Sequence, residues 1–113
     1  MTATVNPAAK PTARFVVIYD SPSDVDAFER HYNEVHVPLA KQYPGLRRYT
    51  RSDEPVPVIG EPCYLVVMLD WDDMGALEAA LGSEIGRRVA EDATANLARY
   101  ATMRGMVLRL REA

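Results

Sequence analysis

Two histidines stand five residues apart in the stretch AFERHYNEVHVPL, and the second, His36, comes two residues before Pro38. Histidine ordinarily titrates near neutral pH, which suits it to acid–base work. His36 follows Tyr32 by four residues and Phe28 by eight, so on a helix it lies at one edge of an apolar stripe. A half-buried imidazole beside a turn distorted by proline can serve as general acid or base. From spacing alone the plainer reading is a partly exposed helix histidine, or one that caps a free carbonyl. His31 falls roughly 140° from His36 around a regular helix at about 100° per residue. The pair therefore cannot hold a metal from one face as an i, i+4 pair would, and no second cluster of metal ligands stands elsewhere in the sequence. No metal site is expected, and His31 reads as a surface residue.

Asp92 and Asn96 are four residues apart on a later helical stretch whose apolar arc is Ile85, Val89, Ala93 and Leu97. On the helical wheel Asn96 falls inside that arc and Asp92 just beyond its edge. Such a pair is either a hydrogen-bonded structural pair or part of a pocket lining. Tyr19, Tyr49, Tyr64 and Trp71 fall on or at the ends of strands, where each offers an aromatic wall with a polar tip or simply packs. No glycine-rich phosphate loop, nucleophile elbow or nucleotide fingerprint is present, so no organic cofactor is expected.

The elements that must position these groups fit in one domain, since 113 residues are too few for two ordinary cores. A hydrophobic content of 48% and a charged content of 26% exclude disorder and membrane spanning. A net charge of −3 argues against nucleic acid, which demands a clustered excess of Lys and Arg. The single cysteine, Cys63, cannot form an internal disulfide and reads as core. Residues 1–13 are rich in Ala, Pro and Thr and carry no apolar leader run, so a flexible arm and a cytoplasmic location are expected.

Arg14 to Tyr19 reads as a strand that is apolar on both faces. Asp24 starts a helix with Val25, Phe28, Tyr32, Val35 and Leu39 as its buried stripe, kinked or ended near Pro38. Tyr43-Pro44-Gly45 stops that helix, Leu46 to Arg51 forms a second strand, and the proline-rich Ser52 to Pro62 is a stiff connection. Cys63 to Trp71 is the longest apolar strand, again two-faced. Asp72-Asp73 caps a short helix that turns Met74, Leu77 and Leu81 inward. A helical segment from Ser83 to Arg99 and a strand from Thr102 to Arg111 follow. The order βαββαβ predicts an α+β, ferredoxin-like domain, residues 14–113, with a four-stranded antiparallel sheet. Its helices cover one sheet face, yet two strands are apolar on both. A second copy packed sheet to sheet is the simplest cover, giving a homodimeric α+β barrel that can enclose a ligand.

The stretch Tyr19 to Tyr49 resembles the EthD family, which has a helix of the type A-F-x-x-x-Y-x-x-x-H-x-P-L followed by P-G-L. Here these positions are Ala27, Phe28, Tyr32, His36, Pro38 and Leu39, then Pro44, Gly45 and Leu46. Ser83, Gly86 and Asp92 are similar to the family's Ser-x-x-Gly segment and following Asp. The chain departs from the family pattern at Asp20 and over Tyr100 to Met103. The resemblance implies the dimeric α+β barrel and makes His36 the signature position. Relatives occur beside degradative oxygenases and in aromatic polyketide pathways, some resembling cofactor-free dehydratases, decarboxylases or isomerases. The expectation is therefore a cofactor-independent lyase or isomerase moving protons on a small, oxygenated, largely apolar molecule. His36 and Asp92 are the catalytic candidates, and Tyr19, Tyr32, Tyr49 and Asn96 the substrate-binding ones. The rival is a non-catalytic protein that binds such a ligand for a neighbouring oxygenase.

Overall fold

β-Branched and aromatic runs form the strands, and an Asp or Ser caps three of the helices. In a computed structural model, which describes residues 9–113, β1 (Ala13–Tyr19) leads into α1 (Val25–His31), a π-helical turn (Tyr32–His36) and α2 (Val37–Ala40). Then come β2 (Arg48–Asp53), β3 (Leu65–Trp71), α3 (Met74–Leu81), α4 (Glu84–Ala95), a 3₁₀ turn (Leu97–Arg99) and β4 (Met103–Arg109). The strands form one antiparallel sheet in the order β2-β3-β1-β4, the ferredoxin-like arrangement expected from the sequence. The side chains of Asp24, Asp73 and Ser83 accept from the backbone N–H of Ala27, Ala76 and Gly86, satisfying donors at the starts of α1, α3 and α4.

The first eight residues of the expected arm lie outside the described residues. Thr12 already joins the sheet end, its N–H donating to the Asp72 carbonyl at 3.0 Å and its carbonyl accepting from Leu110 at 2.8 Å. The strands start a residue or two away from their expected ends, because Leu46 and Cys63 belong to the approaches, and Cys63 is half-buried.

Strand alternation sorts the sheet into two faces. Ala13, Tyr19, Leu65, Val67, Leu69 and Trp71 face the helices and are buried. Val16, Ile18, Val66, Met68, Met106 and Leu108 lie on the opposite face and remain partly or largely exposed. Val16 sits at its centre, opposite Met68 on β3 and Met106 on β4.

The first helical segment departs from the expected stripe. Val25 and Val35 are 44% and 45% exposed, while Phe28, Tyr32, His36 and Ala40 are buried. Pro38 is the cause. It has no N–H for the Glu34 carbonyl, and its ring would crowd that group in a regular helix. The chain answers with a wider turn, in which the Val37 N–H donates to the Tyr32 carbonyl five residues back. That turn swings Val35 to solvent and His36 inward, and the helix continues to Ala40 instead of ending. The arc of α4 is likewise shifted: Asp92 is buried and Asn96 half-buried, the reverse of the wheel's placement. The helix packs sideways against the π turn, α2 and α3.

Two glycines are dictated by geometry. Gly45 holds φ +72 at the turn after α2, a left-handed conformation that side chains resist. Gly86 lies where α4 crosses the end of α3, and a Cβ there would sit 2.3 Å from the Leu81 carbonyl oxygen and 2.4 Å from that of Ala80. Gly86→Ala is therefore expected to destabilise the fold by about 3 kcal/mol. A lowered urea midpoint at unchanged m-value would show this, and an unchanged midpoint would contradict the packing.

Candidate functional site

An aromatic column leads to His36. The Phe28 and Tyr32 rings stack at 5.7 Å, and Tyr32 and His36 at 5.5 Å. The imidazole is 6% exposed, and its Nδ1 lies 2.8 Å from Asp92 Oδ2. The other carboxylate oxygen, Oδ1, takes the Nδ2 of Asn96 at 2.8 Å and the Nε2 of His31 at 2.7 Å. A carboxylate only accepts, so the nitrogens that face it, His36 Nδ1 and His31 Nε2, carry hydrogens. His36 Nε2 makes no hydrogen bond among the described residues.

The electrostatics follow from burial and these bonds. Burial drives the His36 imidazole below its ordinary value of 6.5, and hydrogen bonding and charge from Asp92 only partly counter it. Burial alone would raise the Asp92 carboxyl. The bonds from Asn96, His36 and His31 overcome that and hold it below its usual range. At neutral pH the pair is thus an anionic carboxylate beside a neutral imidazole whose Nε2 carries a lone pair.

His36 lines a cavity of about 360 Å³ between α4 and the β1–β4 side of the sheet. Phe15, Val17 and Tyr19 of β1 form one wall, and Val89, Ala90 and Ala93 of α4 another. Met103 and Gly105 of the edge strand β4 complete it. Tyr19 is 2% exposed, and its hydroxyl makes no hydrogen bond among the described residues. Burial pushes that phenol far above its ordinary range, so it stays an O–H donor.

The structure thus brings together His36, Asp92, Asn96 and Tyr19. Asn96 touches Asp92 and does not line the cavity. Tyr32 and Tyr49 lie outside it as well; their hydroxyls bond each other at 2.8 Å on the far side of the π turn, beside Arg51. Arg51 stands over the Tyr32 ring at 5.2 Å, so these tyrosines brace the column from behind. The residue sequence reasoning missed is His31, which is no bystander on the surface. A regular helix separates it from His36, but the π turn between them carries both to one carboxylate. Pro38, one turn on, was the available signal. The two imidazoles and Asp92 bond one another instead of converging on a point, and among the described residues no group of His, Cys, Asp and Glu has the geometry of a metal site. No described helix is long and apolar enough to cross a membrane.

The two departures from the family pattern touch each other. Asp20 donates its N–H to the Thr102 carbonyl at 3.0 Å and accepts from the Thr102 hydroxyl at 2.6 Å, at the cavity end marked by Tyr19 and Met103.

Residues 21–99 match the EthD domain. A curated relative, an uncharacterized 11.0 kDa protein of the thcB–thcC intergenic region in Rhodococcus erythropolis, is 31% identical over 83 residues, covering 70% of this chain and 78% of the relative. Among solved structures, an ethyl tert-butyl ether D (EthD) family protein from Bacillus halodurans C-125 superposes with TM-score 0.76 at 27% identity, covering 88% of this chain and 99% of that one. SnoaB from Streptomyces nogalater, described as a cofactor-independent oxygenase, shares the fold with TM-score 0.62 at 20% identity, covering 92% and 97%.

Proposed function

The chain belongs to the EthD domain family, and from that premise we propose that it is a cofactor-independent enzyme in which His36 moves a proton on a small, oxygenated, largely apolar molecule. One observation carries the reading: a buried imidazole bonded to a carboxylate through Nδ1, with Nε2 free, on the wall of an apolar cavity. His36 Nε2 takes a proton from a C–H or O–H of the substrate. The imidazolium that forms is stabilised by Asp92 through the Nδ1–H bond. The charge left on substrate oxygen meets the Tyr19 hydroxyl, and the cavity's apolar walls keep water from competing. His36 then returns the proton to another carbon in an isomerisation, to the oxygen of the carbonyl that the carbanion has attacked in a cyclisation, to a departing hydroxyl in a dehydration, or to the carbon that has lost CO₂ in a decarboxylation. A second copy covers the open sheet face, completing a homodimer.

Deuterium uptake from D₂O at the acidic carbon of 2-tetralone, followed by NMR without added metal or cofactor, tests proton abstraction. Exchange that the protein accelerates and His36→Gln abolishes supports the enzyme. Binding of the ketone with no accelerated exchange supports a carrier. Asp92→Asn is expected to slow the exchange by about 10–10²-fold, less than the loss of His36, because the imidazole remains while its partner loses its charge. An Asp92→Asn protein with unchanged rate would remove the carboxylate from the mechanism.

A further inference from the structure

We infer that His31 is a positioning residue which sets the proton affinity of His36 through the Asp92 carboxylate that both imidazoles share. The inference rests on the reading of His36 as the acid–base group. Its basis is geometric. Asp92 offers one oxygen to His36 at 2.8 Å and the other to His31 at 2.7 Å, with Asn96 bonded beside His31. The His36 side chain is 8% exposed and that of His31 is 24% exposed, so His31 is the member of the trio in contact with solvent.

The charges around His36 are few. Asp92 faces it from α4, Tyr19 from β1, and Tyr43 from the turn beyond α2, while Tyr32 and His31 belong to its own segment. Burial raises Tyr19, Tyr32 and Tyr43, the last to about 12, so these phenols remain neutral through the range in which histidines titrate. Asp92 and His31 are left as the charges that His36 senses. A proton on His31 repels one on His36 and takes a share of the carboxylate's charge. Even unprotonated, His31 donates a hydrogen bond that makes Asp92 a weaker partner for the imidazolium. Both effects act in one direction, keeping His36 a free base. A residue that merely braced α4 against the π turn would change stability and leave the His36 titration where it was.

The test is an NMR titration of the His36 ring in the full chain, for wild type, His31→Ala and His31→Gln. Alanine removes both the charge and the hydrogen bond; glutamine removes the charge and keeps an amide N–H for Asp92. The His36 midpoint is expected to rise by about half a pH unit or more in His31→Ala and by a smaller step in His31→Gln. The acid limb of the ketone-exchange rate should move up with it. A midpoint unmoved or lowered in either folded variant overturns the inference. The titration needs no substrate, so a failure of turnover leaves it standing, and an unmoved midpoint says nothing against His36 as the base.

Discussion

His36→Gln is expected to lower turnover by about 10²–10⁴-fold, the usual contribution of a positioned acid–base group. Glutamine preserves much of the side chain's size and can still donate to Asp92, but it cannot take a proton near neutral pH. His36→Ala is the poorer probe. From sequence, the histidine stands at the edge of its stripe, where truncation costs little packing. In the structure it is buried, stacked on Tyr32 and bonded to a buried carboxylate. Alanine would leave Asp92 short of a donor and cost about 1–3 kcal/mol in stability. The pH dependence follows from the same burial. A base whose pKa is depressed stays active to lower pH than an ordinary histidine, so the acid limb of the rate should fall below pH 6.5. Stability shows the linked effect. The unfolded chain takes up the His36 proton first, so stability declines as pH falls from 6.5 toward the lower folded value. The contribution of Asp92, whose folded pKa is also lowered, persists above 3.8 and is lost only as pH falls through that folded value. A His36→Gln protein with full activity would end the acid–base reading.

Val16→Lys is expected to abolish the proposed dimer while leaving each chain folded. Val16 lies at the centre of the open sheet face, flanked by Met68 and Met106, with Ile18, Val66 and Leu108 completing the apolar patch. A face of this kind, left to water, is a liability that association removes. A lysine at its centre would have to carry its charge into the sheet-to-sheet interface, weakening association by about a hundredfold or more. Sedimentation velocity at micromolar concentration reads the outcome. Wild type should run at twice the chain mass and Val16→Lys at the chain mass, with unchanged circular dichroism. A wild-type monomer would show that the two-faced strands have another explanation.

Much of this was legible in the residues. The apolar character of Arg14–Tyr19 and Cys63–Trp71 on both faces, together with cap chemistry at Asp24 and Asp72-Asp73, leads to the βαββαβ sheet without any coordinates. His36 was legible as well, because a histidine two residues before a proline marks a distorted turn. The distortion itself was not. A wheel with a fixed angle per residue put Val35 in the core, His31 on the surface and Asn96 deeper than Asp92. Val35 and His31 follow the π turn, which Pro38 signals without giving its form, whereas the order of Asp92 and Asn96 depends on how α4 meets that turn, a tertiary contact with no local signature. Tyr32 and Tyr49 illustrate the same limit: strand and helix positions were right, but only packing shows that they face away from the cavity.

Asp92 is expected to fix His36 as the Nδ1–H tautomer, with a bare Nε2 toward the cavity at neutral pH. Long-range ¹H–¹⁵N correlation of the histidine rings at pH 7 reads this directly. His36 should show a protonated, pyrrole-like Nδ1 and an unprotonated, pyridine-like Nε2, with that pattern lost in Asp92→Ala. A His36 protonated on Nε2, or on both nitrogens, would contradict it.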